Sequence, residues 1–518
     1  MQILLLGLFV ALFLHDAATA VTEPIPGGAV RTVEAMPADA WPYLGPLPVL
    51  AIVLLPKLLL ALIYQAACMR TRRRLGREGG QRALDRLEKL TSALPLVLLG
   101  LFACDLSFGY LRVVRLALPH TVLIDELVVL LPTLMMVLLS WWSYYPVDRR
   151  LREAAIFRHA DEGRPIYPLL TRGGYLSMQA RHQFGLLLLP LLAVYAWTES
   201  MALLGPGHAG WLTPNQAYAL TPLGVFGVFV LAPLVIRFVW QTAPLADGEV
   251  RERMLAMCRL HRVRVRELLV WRTGGGMVNA AVTGLVRQVR YILLSDGLLD
   301  QMSPRTVEAV MAHEIAHVKC RHIVWMVLVL IASLGLIEFV MGVLFDAALS
   351  AYAWESMNIV GSAGPAWFDL YDTSNKALVL VGPTFVLAIL IFGWVSRRIE
   401  RQADVFAARH LAQSADDHKR RYDNAGQLLF DDDSIHTMVH ALQRVAQLNH
   451  ASVHRPSWRH GSIAWRQAHL RSLVGMPVHD TPVDRVLTRV KTAALLALAV
   501  LLLTTLGDVG DLPRWLGI

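Results

Sequence analysis

Eight long stretches nearly free of charge, near residues 47–69, 92–113, 122–144, 184–204, 219–240, 323–348, 377–396 and 490–507, decide what this chain can fold into. Each approaches or exceeds the roughly 20 residues a helix needs to cross the hydrocarbon of a bilayer. The 518 residues are 55% hydrophobic, too apolar for a soluble protein of this size. The expected fold is therefore mainly α: a polytopic helical membrane protein with one sizeable water-facing domain. Residues 1–20 hold a short apolar core, "ILLLGLFVALFL", followed by "ATA", with no Lys or Arg before it. They read as a cleaved signal peptide or a short anchor.

Charge orients the spans. The loop "RTRRRLGREGGQR" after the first span is strongly basic, as is "DRRLREAAIFRHADEGR" after the third, and arginines crowd the segment from Gln241 to His322. By contrast, "GPGHAGWLTPNQAY" and the stretch from Ala351 to Asn375 carry no Lys or Arg. The alternation puts the basic loops in the cytoplasm and the others outside. The net charge of +9 is thus a topology signal and not a nucleic-acid footprint. Cys68, Cys104, Cys258 and Cys320 are scattered, with no CxxC pair, which excludes a disulfide framework and a cysteine zinc site. The organisation expected is an N-terminal transmembrane region over 47–240 and a water-facing domain over 241–489. A two-span hairpin (323–396) interrupts that domain, and a final span follows at 490–507.

Chemistry concentrates in "AVMAHEIAHVKCRH", Ala309 to His322, just before a long apolar run. Ser303 then Pro304 predicts a helix start, a hydroxyl cap followed by proline in the first turn. Residues i and i+4 share a helix face, so the imidazoles of His313 and His317 project together. Neutral imidazole is a good zinc ligand, and a catalytic zinc takes three protein ligands and keeps one open position. Glu314 is then beside the metal, where a carboxylate takes a proton from water attacking a carbonyl. Glu400 and Asp404, also spaced i, i+4, lie at the cytoplasmic end of a span in "SRRIERQAD". Two spans separate the two motifs, so the hairpin returns the chain to the same membrane face. Glu400 is then placed to complete a His-His-Glu set around one Zn2+, and Asp404 to fix the tautomer of a ligand histidine. The competing reading pairs both carboxylates with Arg397, Arg398, Arg401 or Arg409. Between Arg262 and Leu299, "RELLVWRT", "NAAVTGL" and "VRYILLS" predict a small β-sheet beside the histidine helix, with a turn at Gly274 to Gly276. His322 and His410 read as interfacial or surface residues. Lys57, Asp105, Glu199 and Arg237, at membrane depth, read as structural ion pairs or as walls of a polar chamber.

The run "NAAVTGLVRQVRYILLSDGLLDQMSPRTVEAVMAHEIAHVKCRH" with "RRIERQAD" resembles the membrane-embedded zinc metallopeptidases that include the HtpX heat-shock protease and the type I CAAX prenyl protease. The likeness covers about Arg262 to Arg471 and leaves the N-terminal spans outside it. It implies a zincin-like, cytoplasm-facing metallopeptidase domain in which His313, His317 and Glu400 hold zinc and Glu314 is the base. Asp404 matches the family aspartate. Asn279 and Ala280 match a family segment that lies along the substrate as an edge strand, where an extended peptide gains main-chain hydrogen bonds. A late His-Pro…Arg element of the family is matched by His460 and Arg466 in "HGSIAWR", with Gly461 in place of the proline. It implies substrate binding by Arg466 and oxyanion stabilisation by His460. The implied activity is endopeptidase cleavage of membrane-associated or misfolded proteins at a bacterial inner membrane. CAAX-type processing of prenylated proteins and regulation of one partner protein are the alternatives. The partners expected are protein or peptide substrates and the bilayer, without nucleic acid.

Overall fold

A computed structural model describes the chain except residues 1, 25–29, 35–44, 78–79, 119–121, 162–165, 167, 206–209, 275–276, 360–372, 415–417, 419, 450 and 508–518. The expected turn residues Gly275 and Gly276 and the middle of the 323–396 hairpin lie outside the described residues. The chain divides into two compact units, Met1–Thr242 and Ala243–Ile518.

The first unit is helical: α1 (Gln2–Thr19), α2 (Pro46–Arg74), α3 (Gly80–Ser107), α4 (Tyr110–Ala117), α5 (Ile124–Asp161), α6 (Arg172–Leu204) and α7 (Pro214–Val239). A short hairpin of β1 (Ala20–Pro24) and β2 (Val30–Glu34) follows α1. Helix α2 packs on α3 and α5, and α6 packs on α7. Buried aliphatic and aromatic residues such as Val53, Leu98, Phe102 and Leu130 form its core. Many other large apolar side chains of α2, α5 and α7 point outward, as lipid-facing helices require. The Lys57 ammonium on α2 meets the Asp105 carboxylate on α3, both buried, so two of the membrane-depth charges neutralise each other.

The second unit places a mixed sheet against helices. Strand β3 (Thr242–Pro244) precedes α8 (Glu249–Leu260), and β4 (Glu267–Trp271), β5 (Ala280–Thr283) and β6 (Tyr291–Ser295) follow. The sheet order is β3-β4-β6-β5, with β4 parallel and β5 antiparallel to β6. Every residue of β6 is buried, in keeping with its central position. Gly284, at φ +101°, turns the chain out of β5. A Cβ there would lie 2.3 Å from the Val289 carbonyl oxygen, so only glycine fits. Beyond α9 (Asp296–Gln301) run α10 (Pro304–Lys319), α11 (His322–Ile359) and α12 (Thr373–Gln413). A minimal hairpin of β7 (Arg421–Tyr422) and β8 (Leu428–Leu429) comes next, then α13 (Asp432–Leu448), α14 (Ile463–Arg471) and α15 (Pro482–Gly507).

Among the described residues seven helices are long and apolar enough to cross a membrane, and the chain is an integral membrane protein. The span expected at 377–396 lies on α12, whose side chains are largely undescribed before Pro383, and it is not one of the seven. The fold class is as expected: mainly α, polytopic, with a small sheet.

The Lys57–Asp105 pair yields a stability prediction. Lys57→Met strands a carboxylate in a low-dielectric interior and should lower stability by about 3–5 kcal/mol. The double variant Lys57→Met/Asp105→Leu should recover most of it. Unfolding of the purified protein in detergent checks this, and a single variant as stable as wild type contradicts it.

Candidate metal centre

Local sequence rules build α10. The Ser303 hydroxyl accepts the Thr306 N–H, and Pro304 fills the first helical position, where no donor is needed. Val307, Met311 and Ile315 face the core, which fixes the rotation of the helix and turns His313, Glu314 and His317 toward α12 and the sheet edge. His317 Nε2 lies 3.3 Å from His313 Nε2. Across the helix pair, Glu400 Oε2 of α12 lies 3.5 Å from His313 Nε2. Ligand atoms of all three residues lie within 4.8 Å of one another. Zinc bonds of about 2.0–2.1 Å in a tetrahedron set ligand atoms about 3.3–3.4 Å apart, and the separations of 3.3 and 3.5 Å lie close to that edge. A two-imidazole, one-carboxylate set also suits zinc chemically and leaves a fourth position for solvent. The residues present therefore fit the metal.

The arginines that competed for the carboxylates are engaged elsewhere. Arg397 donates to the Trp458 carbonyl, Arg398 stacks on Trp394, and Arg401 stacks on Trp465. Arg409 donates to the Val478 carbonyl and pairs with Asp484. Asp404, 0% exposed, instead receives two hydrogen bonds from one guanidinium, Arg466 Nε at 2.7 Å and Nη2 at 2.6 Å. Arg466 Nη1 also lies 3.3 Å from Glu400 Oε2. Asp404 Oδ1 stands 2.9 Å from His313 Nδ1, off the ring's N–H direction, a close electrostatic contact rather than an aligned hydrogen bond.

Three expectations change here. Arg466, read as a substrate contact, is only 8% exposed and is spent on Asp404 and Glu400. Ser462 caps α14, and Arg466 on the first turn of that helix faces α12. His322, read as interfacial, is 1% exposed. Its Nδ1 is 3.0 Å from His317 Nδ1, and its Nε2 is 3.0 Å from Gln402 Oε1. Gln402 donates from Nε2 to Asp484, which also accepts from Thr481 and Arg409. These contacts admit one direction of donation when His317 presents Nε2 to a metal. Nδ1–H of His317 donates to His322, His322 donates to Gln402, and Gln402 donates to Asp484. His410 is buried as well, linked to His261 at 3.0 Å and to Glu308 at 3.1 Å.

His460 is 51% exposed, with Nδ1 2.9 Å from Glu400 Oε1. Gly461 beside it sits at φ +73°, and a Cβ there would lie 2.9 Å from the Trp465 ring. Proline, locked near φ −65°, is incompatible with that conformation, which accounts for the glycine. On the other side, the Val282 N–H of edge strand β5 donates to Glu314 Oε2 at 3.2 Å. Asn279, just before β5, donates its N–H to Ser295 Oγ and accepts the Ala280 N–H on its own Oδ1. Asn449 clamps the Val278 backbone at both N–H and carbonyl.

Burial raises the Glu314 carboxyl to about 7; nearby Glu400 adds to the rise while His313 opposes it. The same burial lowers the His317 ring to about 3. Burial also disfavours charge on His313 and Glu400. Their mutual contact, with Asp404 on one side and His460 and Arg466 on the other, overrides it, raising the imidazole and holding the carboxyl well below its usual range.

Fold and site together set a histidine pair and a glutamate beside a sheet edge, in a chain with helices apolar enough to cross a membrane. Residues 244–472 match the model of Peptidase family M48. A Protease HtpX homolog of Acidovorax ebreus (strain TPSY) is 34% identical over 143 residues, 27% of this chain and 45% of that protein. The Protease HtpX of Xylella fastidiosa (strain 9a5c) is 36% identical over 133 residues, 25% of this chain and 42% of that protein. The chain thus spans less than half the length of the curated relatives it matches. The crystal structure of S. mikatae Ste24p overlays on 82% of this chain and 99% of that chain at TM-score 0.44 and 16% identity, too loose a likeness to bear on the reading. Residues 244–472 thus resemble the M48 peptidases, and part of that stretch resembles the HtpX proteases.

His322 was missed because it follows His317 by five residues, outside the helical repeat. Its removal offers a direct check: His322→Phe should keep the fold but weaken zinc binding about 10–100-fold, by loss of the acceptor that orients His317. Competition with a chelator measures this, and an unchanged zinc affinity contradicts it.

Proposed function

We propose that the protein is an integral-membrane zinc endopeptidase that hydrolyses peptide bonds of membrane-associated or misfolded proteins. The observation that carries the reading is the convergence of His313, His317 and Glu400 at zinc-ligand spacing, one residue from Glu314 and beside the edge of a sheet. The M48 match and the HtpX relatives support it. Zinc, when held by these three residues, supplies Lewis acidity toward a carbonyl and acidifies water.

This chain's own residues do the rest. A substrate segment adds to β5 as a further strand, antiparallel or parallel, and its main chain is held extended. The Val282 N–H that reaches Glu314 belongs to that outer edge, because β6 occupies the other side of β5. The strand edge and the base therefore adjoin. Glu314 removes the proton from attacking water and passes it to the leaving amine; a carboxyl raised to about 7 is suited to both steps. His460, exposed beside Glu400, is placed to donate to the developing oxyanion. Asp404, neutralised by Arg466, holds His313 in position, and His322 does the same for His317. The arginine-rich segment Gln241–His322 sets this domain on the cytoplasmic side, and a bacterial inner membrane is the proposed location.

Glu314→Gln is expected to keep full zinc occupancy and lose cleavage of an unfolded model protein by about 10²–10⁴-fold. Undiminished proteolysis by that variant removes Glu314 from its assigned role. The same variant, left bound to uncut substrate, identifies what the enzyme cleaves.

A further inference from the structure

A second cluster of ligand-type side chains lies in the first unit, confined to α4, α5 and α6. Asp125 and Glu126 open α5, Glu199 sits near the end of α6, and oxygens of all three carboxylates lie within 4.8 Å of one another. Asp125 and Glu126 are buried, Glu126 at 0% exposure. Among the described residues one cation is seen on the cluster: Arg115 of α4 donates from Nε to Asp125 Oδ2 at 2.7 Å and from Nη2 to Glu126 Oε1 at 3.1 Å. Glu199 Oε2 accepts the Leu123 backbone N–H at 2.8 Å.

The unexplained atom is Glu126 Oε2. It is sealed from solvent and meets no hydrogen-bond donor. With Oε1 turned to Arg115, Oε2 is left to the carboxylate cluster. Three carboxylates against one guanidinium leave an excess of two negative charges when all are ionised. A buried carboxylate oxygen with only like-charged neighbours is strongly disfavoured, and either a proton or a bound cation relieves it. All the donor atoms are hard oxygens, the set that alkaline-earth cations prefer and that zinc and copper do not select.

The geometry points to a divalent-cation site formed by Asp125, Glu126 and Glu199, with calcium as the fitting ion. One oxygen from each carboxylate, with water completing the shell, suits the six to eight oxygens that Ca2+ takes. Such an ion ties the start of α5 to the end of α6, as a structural clamp remote in sequence from the peptidase domain. In the topology proposed above, both ends lie on the non-cytoplasmic side. Affinities of about 10⁻⁴–10⁻³ M, typical of extracellular calcium modules, suffice there.

The test uses the full-length, zinc-loaded protein in detergent, freed of calcium, with Ca2+ alone as the probe. Equilibrium binding up to a few millimolar should show one saturable Ca2+ per chain, with a rise in Tm of several degrees. Glu126→Gln and Glu199→Gln should each weaken that binding by about tenfold or more, because ligand charge sets affinity at such sites. If Glu126→Gln does not fold, Glu199→Gln carries the comparison. Absence of Ca2+ binding by wild type, with Glu126→Gln at least as stable, means that a shared proton satisfies the carboxylates and overturns the proposal. Binding unchanged in both variants also overturns it.

Discussion

Two carboxylates one helical turn apart, Glu400 and Asp404, are buried against the histidine helix, and the arrangement of the peptidase domain follows from satisfying them. Neither can be left in a dry interior without a positive partner. Arg466 meets that need for Asp404 through a two-point contact, which pins α14 to α12. Glu400 is shared among His313, His460 and Arg466, so the proposed metal ligand is also the residue around which α10, α12 and the His460 segment assemble. In a site built this way, cation binding and local folding are coupled.

The supports are unequal by design of the chemistry. His313 is backed by a charged carboxylate, whereas His317 is backed by a neutral imidazole and then an amide. The carboxylate beside His313 acts through charge, and the relay behind His317 fixes orientation without adding charge. The relay ends on Asp484 of α15, so a helix from the last span contributes to the geometry of the centre. On the opposite flank, Asn449 holds Val278 and Ser295 holds Asn279, which fixes the register of β5 beside Glu314. The strand edge proposed to receive a peptide and the carboxylate proposed as the base are thus set by separate contacts.

Much of this was legible in the sequence because periodicity carried it. Helical spacing paired His313 with His317 and Glu400 with Asp404, and the Ser303–Pro304 start and the strands at 267–295 follow from local chemistry alone. What escaped depended on backbone breaks and on long-range packing. Arg321 sits at φ +53°, so α10 ends and α11 restarts in a new direction, carrying His322 back onto His317. No helical repeat encodes that contact. Arg466 matched a motif position, but its partner was fixed only by how α14 docks, 62 residues from Asp404. Glu199 stood out alone at membrane depth, while Asp125 and Glu126 drew no notice. Their meeting requires α4, α5 and α6 to pack, which sequence spacing does not announce.

The central claim is that one zinc ion sits on two imidazoles and one carboxylate with a position left for solvent. X-ray absorption at the zinc edge of the purified protein tests it most directly. The account predicts four light scatterers, two of them imidazole nitrogens at about 2.0–2.1 Å, the rest oxygens at about 2.0–2.2 Å, and loss of one oxygen contribution in Glu400→Ala. A sulfur scatterer near about 2.3 Å, or a spectrum unchanged by that substitution, contradicts it.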